Sequence, residues 1–119
     1  MPSRRPERVS GLLLEVVAET LLREVKDPRL QAITVTGVRM SPDLKTAKIF
    51  FTTRQEEEPT EVLAGLRKAT GFIKRQVASR LQLRYIPDLE FRYDETLEKV
   101  NRLESLLRQA AEKERESLD

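Results

Sequence analysis

Two short runs of alternating, β-branched residues stand close together in this chain, and a third follows only after a long helical stretch. Ala32 to Met40 (AITVTGVRM) and Ala47 to Thr53 (AKIFFTT) are separated by Ser41-Pro42-Asp43, turn chemistry that folds them into an antiparallel hairpin. Leu89, Phe91 and Tyr93 alternate with Glu90, Arg92 and Asp94 as a half-buried strand does. A third strand that arrives after helices can join the first two only if those helices lie across the sheet. The order therefore confines the chain to a three-stranded sheet covered by helices on one face, a two-layer α+β sandwich.

The remaining segments fit that frame. From Pro6 to Val25 the apolar residues Val9, Leu12, Leu13, Val16, Val17 and Leu21 recur at helical spacing, and Asp27-Pro28 stops the helix. Along the first strand Ile33 and Val35 share one face while Val38 and Met40 share the other. Gly37 sits at this slip of phase, where a bulge is expected. Glu56-Glu57-Glu58-Pro59 reads as a loop, with Thr60 capping the next helix and Glu61 at its positive end. That helix carries Val62, Leu63 and Leu66 into Ala69-Thr70-Gly71. A second helix follows at once on Ile73, Val77 and Leu81, and Pro87 ends it. Thr96 opens a C-terminal helix with Leu97, Val100, Leu103 and Leu107 along one side. Beyond Ala111 only Leu118 is apolar, so fraying is expected there. The element order is α-β-β-α-α-β plus a C-terminal helix. It divides into a flexible basic terminus (1–5), the α+β domain (6–95), an amphipathic helix (96–111) and a charged tail (112–119).

Charge is segregated onto one part of this frame. Between Val62 and Pro87 lie Arg67, Lys68, Lys74, Arg75, Arg80 and Arg84 and no acidic residue, although the whole chain is only +2. An ordinary solvated helix face mixes signs, and a local field of one sign is what a polyanion recognises. The two helices around Ala69-Thr70-Gly71 would let a phosphate backbone come close to helix N-terminal amides. Arg4, Arg5 and Arg8 stand at the chain start, where they either solubilise the terminus or add phosphate contacts. KH domains clamp single-stranded nucleic acid with a GXXG loop between helices. No GXXG occurs here, for Gly65 and Gly71 are six apart.

Several short stretches, in order, resemble bacterial ribosome-binding factor A from Arg4 to about Leu107. They are Arg-x-x-Arg-Val at Arg5 to Val9, Asp27-Pro28-Arg29-Leu30, Thr34-Val35-Thr36-x-Val38 and Ser41-Pro42-Asp43-Leu44 leading to Ala47. Ala69-Thr70-Gly71, Leu83-Arg84-x-x-Pro87-x-Leu89-x-Phe91 and Asp94 complete the match. The resemblance implies a KH-like (type II) domain in which an Ala-x-Gly interhelical kink, here Ala69, Thr70 and Gly71, replaces GXXG. It also implies a non-enzymatic assembly factor that binds the immature small ribosomal subunit and its 16S rRNA and promotes late processing of the rRNA 5′ end. Other assembly factors and GTPases are further partners it allows. The longer charged C-terminal segment is a departure from the family pattern.

Other chemistries find less support. The chain has no His, which removes the usual acid–base group near neutral pH and the commonest metal ligand. It has no Cys, hence no disulfide framework or thiolate zinc site, and the cytosol is the natural compartment. No apolar run reaches membrane-spanning length. Asp88, Glu90 and Asp94 could hold Mg²⁺ in a carboxylate nuclease, but Arg92 falls among them and an alternating charge ladder explains the pattern better. Neither cofactor nor metal is expected, and the expected state is a monomer. Most aromatics fall in phase with core positions; Tyr85, beside Arg84, is the exception and could touch a base. The C-terminal leucine face offers an alternative function, a protein-interaction module.

Overall fold

The computed structural model describes residues 5–54 and 57–118. The elements are α1 (Arg5–Arg23), α2 (Pro28–Gln31), β1 (Thr34–Met40), β2 (Thr46–Thr52), α3 (Pro59–Arg80), β3 (Asp88–Tyr93) and α4 (Thr96–Leu118). β1 and β2 form the antiparallel hairpin, with Val38 opposite Ile49 and Met40 opposite Ala47. The register shifts between Val35 and Gly37, so the slip of phase in the sequence is a bulge. β3 returns beside β2 and runs parallel to it, with Ala47 opposite Leu89 and Phe51 opposite Tyr93. A parallel neighbour needs a long crossover, and α3 supplies it. The sheet order is β1-β2-β3, an α+β fold of two layers.

The core lies between the inner sheet face and two helices. Ala47, Ile49 and Phe51 of β2 are fully buried against Leu13 and Val17 of α1 and Val62, Leu66, Ile73 and Val77 of α3. Phe51 meets the Tyr93 ring edge-on at 5.9 Å between centroids. Burying a large apolar side chain contributes about 1.5–3 kcal/mol, so this cluster dominates the stability and fixes which face of α3 remains outside. Leu12, in phase with the buried stripe of α1 by sequence, is half exposed instead.

Four boundaries differ from the sequence reading. Asp27-Pro28 does more than end α1: the Asp27 carboxylate accepts the Arg29 backbone N–H at 3.0 Å, opening the single turn α2, whose Leu30 is buried. The N-cap of α3 is Glu58, with Pro59 in the first turn, so Thr60 lies inside the helix and caps nothing. At its other end α3 stops at Arg80, well short of Pro87. Leu81 is extended, and Leu81 and Leu83 reach the core with the period of two of a strand. α4 continues to Leu118, through the segment where fraying was expected.

The largest difference lies in the middle of α3. One helix runs through Ala69-Thr70-Gly71 where two were expected. Val62, Leu66, Ile73 and Val77 keep a single helical phase across the triplet, and half-buried Ala69 and Thr70 fill the slot between them. Continuous burial on both sides outweighs the cost of about 1 kcal/mol for a glycine within a helix. Gly71 has no positive φ. Thr70 Oγ1 donates to the Leu66 carbonyl at 2.9 Å, a local bond of the kind that bends helices without interrupting them.

Candidate nucleic-acid interface

Because Val62, Leu66, Ile73 and Val77 fix the inner face of α3, the outer face follows from helical spacing. It presents Ala64, Arg67, Lys68, Gly71, Arg75 and Ala78, all exposed. Cations thus alternate along the helix with residues of little or no side chain. A Cβ built on Gly71 would meet only the Arg75 guanidinium, at 3.6 Å. That guanidinium sits 5.9 Å from the Phe72 ring centroid, which holds it back along the helix surface. The result is a low, positively charged strip that a phosphate backbone can approach closely. Arg67, Lys68 and Arg75 form no ion pair among the described residues.

The other expected contacts divide differently. Arg80 is a clamp: it donates to Glu19 at 3.1 Å and to Glu24 at 2.6 Å, tying the end of α3 to α1. Lys74 pairs with Asp88 at 3.2 Å, joining α3 to the start of β3. Their charges are offset within the fold, so the row of cations expected from spacing loses two members. Arg84 lies beyond the helix end, with its guanidinium 5.4 Å from the Tyr85 ring centroid. Arg5 and Arg8 project from the first turns of α1 and, with Leu81, Gln82 and Leu83, line one groove. Arg4 falls outside the described residues. With α3 unbroken, its amides at Gly71 are those of a helix interior, and the expected second set of N-terminal donors is not formed. The charged side chains and the low surface are what α3 offers a polyanion.

Each carboxylate of the candidate metal cluster is separately engaged. Glu90 pairs with Arg92, Asp88 with Lys74, and Asp94 accepts from the Thr36 hydroxyl at 2.6 Å and the Thr96 N–H at 3.0 Å. Among the described residues no group of three such side chains is placed to hold a metal ion. The signals sequence reasoning missed are long-range: Glu19 and Glu24 carry no mark that identifies them as partners of Arg80. Leu44 is a further surprise, a non-glycine residue with φ of 61° in the β1–β2 turn.

Fold and site together define a class, a KH-like two-layer α+β domain whose crossover helix carries a cationic outer face. The family model for ribosome-binding factor A matches residues 5–107, and the chain belongs to that family. It is 42% identical over 112 residues to ribosome-binding factor A of Coxiella burnetii, covering 94% of each chain. It is 44% identical over 105 residues to that of Syntrophus aciditrophicus, covering 87% of this chain and 85% of the relative. The crystal structure of ribosome-binding factor A from Thermus thermophilus superposes with a TM-score of 0.67 at 27% identity, over 74% of this chain and 94% of that one. A Thermus thermophilus homology model fitted into the cryo-EM map of a complex with the 30S particle gives 0.60 at 30% identity, over 72% and 91%. No helix among the described residues is long and apolar enough to cross a membrane.

Proposed function

We propose that this chain is a cytoplasmic ribosome assembly factor that binds the immature small ribosomal subunit through its 16S rRNA and promotes late maturation, including processing of the rRNA 5′ end. It acts without chemistry of its own, shifting an rRNA folding equilibrium by its differential affinity for one conformation. Membership of the family and the fitting of a relative into a 30S complex support this reading. The observation that carries it to particular residues is the strip of Arg67, Lys68 and Arg75 about Gly71, of one sign and without an ion pair among the described residues.

Co-sedimentation with small subunits purified from cells lacking the factor tests the reading. Wild-type protein should travel with the subunits, and an Arg67→Ala, Lys68→Ala, Arg75→Ala variant should stay at the top of the gradient while melting at the wild-type temperature. The same strain should accumulate 5′-extended 16S precursor, reversed by the wild-type gene and not by the triple variant. Normal sedimentation of the folded variant would move the interface elsewhere.

A second reading draws on one observation. Leu97, Val100, Leu103 and Leu107 of α4 are each 44–66% exposed, and α4 buries no residue. Such a face suits pairing with a helix of another protein. Self-pairing through it predicts a concentration-dependent dimer, seen as a mass from light scattering that rises with concentration.

A further inference from the structure

We propose that Arg84 and Tyr85, with the grooves beside them, hold one unpaired nucleobase of a single RNA strand. The proposal rests on the RNA-binding reading above and adds a second contact, to a base, at the end of α3. The connection after Arg80 is anchored from within by half-buried Leu81 and Leu83 and by buried Pro87. Between those anchors Tyr85 is 63% exposed and Ile86 is 42% exposed. A tyrosine left so open on a short, pinned segment is held out rather than merely mobile. The Arg84 guanidinium lies 5.4 Å from its ring centroid, a pairing that orients both planar groups.

One groove is lined by the ring, and a second adjoins it through shared residues. One, of about 190 Å³, is lined by Arg5, Asp43, Leu44, Leu83, Arg84 and Tyr85. The other, of about 290 Å³, shares Arg5 and Leu83 and adds Arg8, Val9 and half-exposed Leu12. Each lies below the roughly 300–1,000 Å³ of sites that enclose a drug-sized molecule, and an open groove of that size fits a single planar ring on a chain that continues outside. Leucines, the tyrosine and arginines together line the two grooves. The single carboxylate, Asp43, already accepts from the Ser41 hydroxyl and the Lys45 N–H, so it braces the turn. That turn holds Leu44 at φ 61°, a sparsely populated conformation that presents its side chain to the groove.

This pattern matches nucleic acid more closely than an acidic peptide. Base stacking on an aromatic ring, with guanidinium planes beside it, tolerates any base because every base has a π-face. Double-stranded RNA hides those faces, so the site selects unpaired RNA. The α3 strip, which meets backbone phosphates, makes no such distinction.

The test compares a fluorescently labelled single-stranded RNA decamer with a blunt RNA duplex of the same length. Tyr85→Ala should weaken decamer binding about five- to hundredfold, the contribution of one stacked base, and leave duplex binding unchanged. Tyr85→Phe, which keeps the ring, should bind both within about twofold of wild type. Tyr93 is the other tyrosine and there is no Trp, so a Tyr93→Phe protein reports on Tyr85 alone by its own fluorescence. That signal should be quenched by the decamer and not by the duplex. Full decamer affinity of a folded Tyr85→Ala protein would overturn the proposal, as would equal loss on decamer and duplex. Quenching by polyglutamate as strong as that by the decamer would reassign the site to acidic protein. The Arg67, Lys68, Arg75 triple variant separates the two readings: loss of small-subunit binding there, with Tyr85→Ala neutral, sinks the base site and keeps the assembly-factor reading.

Discussion

Arg80 and Glu24 meet at 2.6 Å between the last residue of α3 and the residue that follows α1, and both side chains are about two-thirds shielded from water. The second Arg80 nitrogen reaches Glu19 of α1 at 3.1 Å, so one guanidinium holds two carboxylates, one within α1 and one just past its end. Planar forks of this kind are stronger than exposed single ion pairs. Arg80→Ala should therefore lower stability by about 1–2 kcal/mol, seen as a drop of several degrees in the thermal midpoint. Arg80→Glu should be worse, because it brings a third carboxylate to Glu19 and Glu24. In both variants RNA affinity measured well below the midpoint should stay near wild type, which titration against small subunits would check.

The strip on α3 predicts the salt dependence. On the proposed interface Arg67, Lys68 and Arg75, with Arg8 and Arg84 near the end of α3, would make up to five phosphate contacts, and the slope of log affinity against log salt should be about −3 to −5. Arg67→Ala with Arg75→Ala should reduce the slope by about 2, because each phosphate-contacting cation accounts for close to one unit. Replacing Lys74 should change it less, as its charge is engaged by Asp88 at 3.2 Å. An affinity indifferent to salt would contradict an electrostatic interface.

Gly71 separates stability from binding. It is exposed, has no positive φ, and a Cβ there would make only an ordinary contact with the Arg75 guanidinium at 3.6 Å. Gly71→Ala should stabilise the helix by about 0.5–1 kcal/mol. If the bare strip admits a phosphate backbone, the same change should weaken subunit binding, and Gly71→Val should weaken it further. Gly65 gives the contrast: a Cβ there would press on Leu30 Cδ2 at 3.3 Å, so Gly65→Ala should cost stability unless Leu30 can move. Calorimetry and subunit titration on the two alanine variants read both signs. A Gly71→Ala protein that is more stable and binds fully would reduce the glycine to a connector within the helix.

The contrast between these residues shows where sequence reasoning reached and where it stopped. The bulge at Gly37 was legible because the alternation of Ile33 and Val35 against Val38 and Met40 changes phase there, a purely local signal. The return of the third strand was legible from order alone. The break at Ala69-Thr70-Gly71 was misread because small, weak helix formers locally resemble a turn. The continuous stripe of Val62, Leu66, Ile73 and Val77 was present in the same sequence and outweighs them. The segregation of positive charge was visible, yet which cations stay free depends on partners far off in the chain. Glu19 and Glu24 lie 61 and 56 residues from Arg80, and no periodicity links them. Local physics was readable, and long-range electrostatic pairing was not.

Acid should expose the contribution of three aspartates that brace turns and helix starts. The Asp94 carboxyl is held below its ordinary value of 3.8 chiefly by the Thr36 hydroxyl and then by Thr96. Asp43 is lowered by the Ser41 hydroxyl and the Lys45 N–H, and Asp27 by the Arg29 side chain and backbone N–H. A carboxyl whose pKa is lower in the folded state binds fewer protons there than in the unfolded chain, so acid favours unfolding. Their contribution should be complete above the ordinary 3.8 and be lost as pH falls through the lowered values. The thermal midpoint should thus stay level from neutrality to mildly acid pH and fall steeply below. Asp94→Asn should lower the midpoint at neutral pH and flatten the acid limb. Thr36→Val removes the largest cause of the Asp94 shift while leaving the carboxylate, so it should flatten the limb by a similar amount. It should also loosen the start of α4, since Thr36 ties β1 to the residue that receives the Thr96 N–H at 3.0 Å. Melting curves of the three proteins across that pH range decide the matter: parallel acid limbs would mean that the Thr36–Asp94 bond does not lower the Asp94 pKa in solution.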